Sequence, residues 1–297
     1  MDETEWLAAR FEQHRPRLRA VAYRMLGSLA EADDAVQDAW LRLSQSKTEQ
    51  IDNLGGWLTT VVARECLHML RSRRRRREDP FGERLPDPVV TPDGDLDPEQ
   101  EVLLADSLGL ALLVVLDSLT PAERLAFVLH DMFGLPFDEI APMVGRTPTA
   151  ARQLASRARR RVKGAEIPAP DPDLTRQRQV VDAFFAAARA GDFDALVQVL
   201  DPDVVLRADF GPGRPPAVRR GIQAVAKLAR APRGAQVHPA LVNGMVGAVA
   251  TLNGRPFSVL AFTVVNGKIV EIDGIRDPDR VRRVAAAVLI KTQRAKG

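Results

Sequence analysis

The 297-residue sequence predicts a multidomain protein: two small all-α domains, the second carrying a helix-turn-helix, and then an α+β domain. Three observations lead there. Apolar residues recur at helical spacing over the first ~77 residues and again from Leu103 to Val162. Two proline-rich stretches, 78–101 and 167–172, interrupt that periodicity. Beyond them lie strand candidates, the last two joined by Asn266-Gly267, a dipeptide suited to a two-residue hairpin turn. At roughly 150 residues per domain, length alone predicts two domains. Three are counted because the first two are small.

The first helix carries Trp6, Leu7, Phe11, Leu18, Val21, Ala22, Met25 and Leu26 on one stripe, and Gly27-Ser28 ends it. A second runs from Leu29 through Ala35, Val36, Ala39, Trp40, Leu41 and Leu43. A third starts near Asn53-Leu54-Gly55-Gly56-Trp57 and runs through Leu58, Val61, Val62, Cys66, Leu67 and Leu70 into Arg71–Arg77. Pro80, Pro86, Pro88, Pro92 and Pro98, set among acids, read as an extended linker over 78–106. Helices resume at Leu103–Leu119, and Thr120-Pro121-Ala122-Glu123 has the residues of a capping box. A short helix over Phe137–Met143, a turn at Val144-Gly145-Arg146 and a helix capped by Thr147-Pro148 complete the second domain. After the linker Ile167–Pro172 come helices at Leu174–Ala190 and Phe193–Leu200. Strand candidates follow at Val204–Ala208, Ala248–Asn253, Phe257–Val265 and Lys268–Ile275, then a helix after Asp277-Pro278. The domain bounds are therefore 1–77, 107–166 and 172–297.

Composition narrows the function. No stretch of eighteen uncharged apolar residues exists, and Met1-Asp2-Glu3-Thr4-Glu5 is acidic; a membrane span and a secretory signal are not expected, and the protein is read as cytoplasmic. One cysteine and four histidines offer neither a disulfide nor a metal site. Net charge is only +3, but its distribution is uneven. Residues 64–77 sum to +6 and residues 146–163 to +7, separated by −9 over 78–106. Two short basic segments flanking an acidic one predict two contacts with a polyanion.

On the second helix, Asp34 and Asp38 share a face with Gln37. That face is either simply solvated or a docking surface. The run of five arginines ending at Arg77 repels itself unless an anion offsets it, and a nucleic-acid backbone is the natural anion. Trp57, on the same helix, is either core or a platform for an unpaired base. Phe137–Leu154 is the most specific pattern. Ile140, Ala141, Val144, Ala151 and Leu154 fall at buried positions and Gly145 at the turn. Thr149, Ala150, Arg152, Gln153, Ser156 and Arg157 face outward toward base edges and phosphates. Arg159, Arg160, Arg161 and Lys163 follow as backbone contacts.

An acidic helix, a Trp/Arg-rich helix, an acidic linker and a terminal helix-turn-helix, in this order, resemble bacterial RNA polymerase sigma factors of the extracytoplasmic-function class over about residues 1–165. The rest resembles a SnoaL-like domain, a cone-shaped α+β fold. The resemblance implies that Asp33, Asp34, Gln37, Asp38 and Trp40 meet the clamp helices of core RNA polymerase. It implies that the segment 53–77, with Trp57, Arg71, Arg74, Arg75 and Arg76, melts and reads the −10 promoter element. Thr149, Arg152, Gln153, Ser156 and Arg157 would read the −35 element, and the acidic linker would lie in the polymerase channel. No cofactor or metal is implied.

In the fused subgroup, a glycine-rich stretch and an Asn-Pro-Asp-Lys-Leu-type segment recur. Their counterparts are Asp209-Phe210-Gly211-Pro212-Gly213-Arg214 and Asp277-Pro278-Asp279-Arg280-Val281. Asp209, Gly211, Gly213, Asp277, Pro278 and Asp279 are thus expected at an interdomain contact that regulates the sigma part in cis. Asp209 and His238 are the catalytic candidates if the third domain is an enzyme. They form no acid–base constellation by themselves, so a pocket for an unidentified small molecule is the reading preferred to catalysis. A free-standing helix-turn-helix regulator is the rival for the whole, and the acidic helix argues against it.

Overall fold

The computed structural model describes residues 3–46, 51–76, 85–93, 110–165, 167–211, 213–229, 232 and 234–294. They fall into two compact units. The divide does not follow the expected domain bounds. The two helical regions form one unit, and the second takes the α+β domain together with the middle of the supposed linker.

In the first unit, α1 (Glu3–Leu26), α2 (Leu29–Ser44) and α3 (Leu54–Arg76) form a bundle. Its core comprises Phe11, Leu18, Val21, Met25, Val36, Leu43, Leu58, Val62 and Leu67, the expected stripe, whereas Trp6 is exposed. Gly27 ends α1 at φ +70°, a left-handed conformation that side chains resist. Asn53 caps α3 by accepting from the Gly56 amide at 2.9 Å. Next come α4 (Leu110–Ser118) and α5 (Pro121–Phe127). Thr120 and Glu123 form the capping box at the start of α5, which runs into a π turn, Val128–Met132. Of the helix expected at Leu103–Leu119, the part before residue 110 lies outside the described residues.

The helix-turn-helix is α6 (Phe137–Val144) and α7 (Pro148–Gly164). Gly145 makes the turn at φ +66° and Thr147 caps α7. Ile140, Ala141, Val144 and Ala151 are buried as expected. Leu154 is only half-buried, and Ala155 and Ala158 carry the seam instead. Small residues there let α7 approach α5 closely.

Two arginines join these helical regions. Arg24 on α1 and Arg124 on α5 are each only 2% exposed. Arg124 donates through Nε to the Arg24 carbonyl at 3.1 Å and through Nη1 to Asp117 at 3.1 Å. Burial pulls the Arg124 guanidinium down to about 10, against the pull of Asp117. Arg24 lies 5.1 Å from the Phe133 ring centroid, and Arg17 donates to the Phe133 carbonyl at 3.1 Å.

The second unit is built on one seven-stranded sheet in the order β1-β4-β5-β6-β7-β2-β3. Its strands are β1 (Val90–Pro92), β2 (Leu200–Asp209), β3 (Ala217–Arg220), β4 (Ala235–Val242), β5 (Met245–Leu252), β6 (Arg255–Val265) and β7 (Lys268–Ile275). All neighbours are antiparallel except β2 and β7. Asn-Gly pairs at 243–244, 253–254 and 266–267 turn the successive hairpins, every residue at positive φ. The sheet curls around helices α8 (Leu174–Ala190), α9 (Phe193–Val199) and α10 (Ile222–Ala229). Their core with the sheet holds Val181, Phe184, Leu196, Val225, Val246, Phe262 and Ile272. The last helix, α11 (Pro278–Arg294), lies against β6, β1 and β4. This is the expected cone-shaped, SnoaL-like α+β fold. The second linker belongs to it: Asp171 accepts the Asn266 and Gly267 amides at 2.8 and 2.9 Å, pinning the last hairpin.

Candidate functional site

On α2 the acidic face is present but divided. Asp34, Gln37 and Asp38 are exposed. Asp33 is engaged within the unit, accepting from Arg19 Nε and Nη2 at 2.6 and 3.1 Å, so it is not one of the open acids. Trp40 is half-buried and its ring is tilted on Phe11, centroids 5.1 Å apart. Phe11, Val36, Gln37 and Trp40 line a shallow groove of about 200 Å³ between α1 and α2. An apolar floor edged by Gln37 and the Glu12–Arg15 pair, on the helix that exposes Asp34 and Asp38, suits a protein partner with polar and apolar contacts.

On α3, Trp57 is half-buried, while Arg71 and Arg74 are exposed. Arg73 turns back to Glu31 and to the Leu26 carbonyl at 2.9 Å, which removes it from the free set. Arg75 and Arg76 continue the helix. Arg77 lies outside the described residues.

On α7, Thr149, Arg152, Gln153 and Arg157 are exposed and Ser156 half-buried. The Arg152 guanidinium lies 5.4 Å from the Phe137 ring centroid, which braces it while the residue stays exposed. The basic run behind it is less free than its composition suggests. Arg161 and Arg157 converge on Glu123 at 3.2 and 3.9 Å, and Arg159 pairs with Asp131 at 2.5 Å. Burial opposes ionisation of Glu123, but the Thr120 hydroxyl and amide, with Arg161 and Arg157, hold its carboxyl below the usual range.

The second unit holds a site that the sequence presented as separate fragments. Asp209 is fully buried. Its Oδ2 accepts the Leu85 amide at 3.1 Å and Arg280 Nη1 at 2.6 Å, and its Oδ1 accepts the Gly211 amide at 2.9 Å. Arg280 also donates to Asp87 and to the Leu85 carbonyl, each at 2.5 Å. Burial works against its charge, but Asp87 and Asp209 raise the Arg280 guanidinium above its ordinary value. Asp277 caps α11, accepting the Arg280 amide at 2.8 Å, and a β-carbon on Gly211 would collide with the Asp277 carboxylate. Further along, Asn243 and Val89 exchange two bonds of 2.7 and 2.8 Å. Val90 to Pro92 then pair with β4, and Arg178 holds Asp93 at 2.9 Å.

Segment 85–93 is therefore part of the cone's sheet, which corrects the reading of 78–106 as linker throughout. Within this unit it does not have the free path expected of a channel-filling connector. Prolines permit the strand because β1 is an edge, where an amide need not be donated inward. Of the six expected contact residues, Asp209, Gly211 and Asp277 meet in this cluster. Pro278 opens α11. Gly213 faces open space, and Asp279 is exposed and paired with Arg282. The catalytic candidates are not brought to a common cavity. Asp209 is committed to Leu85 and Arg280, and His238 Nε2 lies 3.0 Å from Thr251 Oγ1. Among the described residues no helix is long and apolar enough to cross a membrane.

The first unit thus joins a helical bundle with an acidic face and an arginine-tipped third helix to a helix-turn-helix. The sigma-70 region 2 family matches residues 10–76 and sigma-70 region 4 matches residues 109–162. The chain is 41% identical over 288 residues, covering 91% of both sequences, to the ECF RNA polymerase sigma factor SigJ of Mycobacterium tuberculosis. It is 36% identical over 291 residues, covering 94% of this chain and 96% of the other, to the probable ECF sigma factor SigI of the same species. The crystal structure of M. tuberculosis SigJ superposes with a TM-score of 0.71 at 36% identity, over 92% of this chain and 97% of that one. The chain belongs to the extracytoplasmic-function family of RNA polymerase sigma factors. As such it binds core RNA polymerase and directs it to promoters.

Proposed function

We propose that the cone governs this sigma factor in cis by holding segment 85–93, the chain that connects the two DNA-reading regions, and that it acts as a regulator and not as an enzyme. The observation that carries this is Arg280, which ties Asp209 of the cone to Asp87 and Leu85 of the connector. The packing of α3 on α5 and α6, and of α1 on the π turn Val128–Met132, supports a compact state away from polymerase. The −10 and −35 elements lie about 25 positions apart, or ~85 Å along B-DNA at ~3.4 Å per base. Regions in mutual contact do not reach both, so engagement requires opening. Asp34, Gln37, Asp38 and Trp40 are read as the polymerase contact. Trp57, Arg71, Arg74, Arg75 and Arg76 are assigned to the −10 element, and Thr149, Arg152, Gln153, Ser156 and Arg157 to the −35 element.

Runoff transcription with core polymerase on a promoter library tests this reading. Wild type, Arg280→Ala and Asp279→Ala are compared as full-length proteins. Arg280→Ala is expected to change promoter output and affinity for core polymerase, and Asp279→Ala, outside the cluster, to leave both unchanged. Identical output and core affinity for wild type and Arg280→Ala would exclude regulation through the connector.

A further inference from the structure

The cone encloses a cavity of about 280 Å³ that the cluster around Arg280 does not use. Its walls are apolar: Phe184, Phe185, Leu206, Val237, Leu260 and Ile272. Besides arginines, one polar side chain breaks that surface. Ser258 is 1% exposed, and its hydroxyl has no hydrogen-bond partner among the described residues. A buried hydroxyl left without a partner is costly in an otherwise apolar wall, and a ligand atom would satisfy it.

The lining contains no carboxylate, but it contains four arginines. Arg207 is neutralised, with Asp273 at 2.9 Å and Glu271 at 2.8 Å. The other three, Arg189, Arg219 and Arg276, are exposed. Arg219 donates to the carbonyl of its neighbour Val218 at 2.9 Å, and Arg276 lies 5.7 Å from the Phe257 ring centroid. Loss of water, with the nearby Arg214, holds the Arg276 guanidinium below its ordinary value. Like charges gathered at the edge of an apolar chamber are the electrostatic complement of one anionic group on an apolar body.

We propose that this cavity binds a small amphipathic carboxylic acid, its aliphatic or aromatic body among Phe184, Phe185 and Leu260 and its carboxylate at Arg276, with Arg219 and Arg189 alongside. The volume lies just below the ~300–1,000 Å³ common for small-molecule sites, which favours a body of roughly ten carbons. Polyphosphates and nucleotides suit it poorly, since the interior offers them a single hydroxyl. The inference deepens the regulatory reading of the cone. It is tested by binding alone, so its failure and the failure of cis regulation are separately visible.

The probe is sodium decanoate, titrated calorimetrically into the full-length protein below its micellar concentration, with decanol and acetate in parallel. Decanoate is expected to bind once per chain, with decanol at least about tenfold weaker and acetate giving no measurable heat. Arg276→Gln should weaken decanoate by about tenfold to a hundredfold, the range for a lost charge-assisted hydrogen bond, and leave decanol unchanged. Arg219→Gln should give a smaller loss. Ala250→Leu, which fills the chamber, should abolish binding of both while circular dichroism stays native. No binding of decanoate, equal binding of decanoate and decanol, or unaltered binding by both arginine variants would overturn the proposal.

Discussion

Arg280 in the cone and Arg152 on the recognition helix carry the same guanidinium in opposite settings. Arg280 is largely buried and makes three hydrogen bonds, one each to Asp87, Asp209 and the Leu85 carbonyl. Arg152 is exposed, braced by an aromatic ring, and no ion pair to it is found among the described residues. The first is consumed by the protein's own architecture, and the second remains available to a phosphate or a base edge. Arg157, Arg159 and Arg161 stand between them, partly bound to Glu123 and Asp131. Counting basic residues thus overstates the charge open to a nucleic acid, since Arg157, Arg159 and Arg161 are paired within the unit while Thr149, Arg152 and Gln153 stay exposed.

Removing each kind of charge should have a distinct signature, beginning with the buried one. Arg280→Ala takes the guanidinium away from the buried Asp209 and from Asp87, which keeps Arg283 at 3.5 Å, and should cost about 3–5 kcal/mol. Hydrogen exchange would register it first at the Leu85 and Val89 amides. Retained protection there would mean that the connector is held by its strand pairing alone. Next in size is the exposed acidic face of α2. Asp34→Arg with Asp38→Arg should lower affinity for core polymerase by about 2–5 kcal/mol or more, because loss of one partner in a close pair costs that much. Folding should be unaffected, and an unchanged pull-down would remove α2 from the interface.

The Arg207–Asp273 pair offers a pH test of the buried class. Burial pushes the Asp273 carboxyl up to about 6, against the pull of Arg207. The folded chain therefore holds this proton more tightly than the unfolded one. The stability it contributes is full below about pH 4 and is lost as pH rises through about 6. The swing is at most ~3 kcal/mol at ~1.36 kcal/mol per pH unit. Urea midpoints at pH 5 and pH 7.5 should show it, and Asp273→Asn should flatten the difference. The smallest expected effect lies in the open class. Arg152→Ala and Gln153→Ala should relax base preference within the −35 element by about 1–3 kcal/mol, measured across single-base promoter variants. Arg161→Ala should weaken binding slightly and leave preference intact; if it alters preference, the division between spent and available charge is wrong.

The helices and the helix-turn-helix were legible because their signals are local. Periodicity, Gly145 at a left-handed turn and Thr147 at a cap all lie within a few residues of what they determine. The pairing of Asp33 with Arg19 was not legible, since two residues fourteen apart meet only once α1 and α2 pack. Nor was β1: Pro86, Pro88 and Pro92 with their acids have a linker's composition, and only the edge position of β4 makes a strand of them. The contact from Leu85 to Arg280 spans 195 residues. Strands β3 and β4 and helix α10 were missed for a simpler reason. Asn243-Gly244 and Asn253-Gly254 carry the same turn chemistry as Asn266-Gly267, and either pair would have placed β4 and the full length of β5.

Because β1 closes the rim of the sheet, letting go of the connector would do more than lengthen a tether. The outward amides and carbonyls of Ala240, Leu241 and Val242, now matched by Pro92, Thr91 and Val90, would face solvent as an unsealed border. Bare borders of this kind recruit other extended chains. A released cone would therefore display a template that the closed one conceals, and whatever strand filled it would hold the sigma factor open.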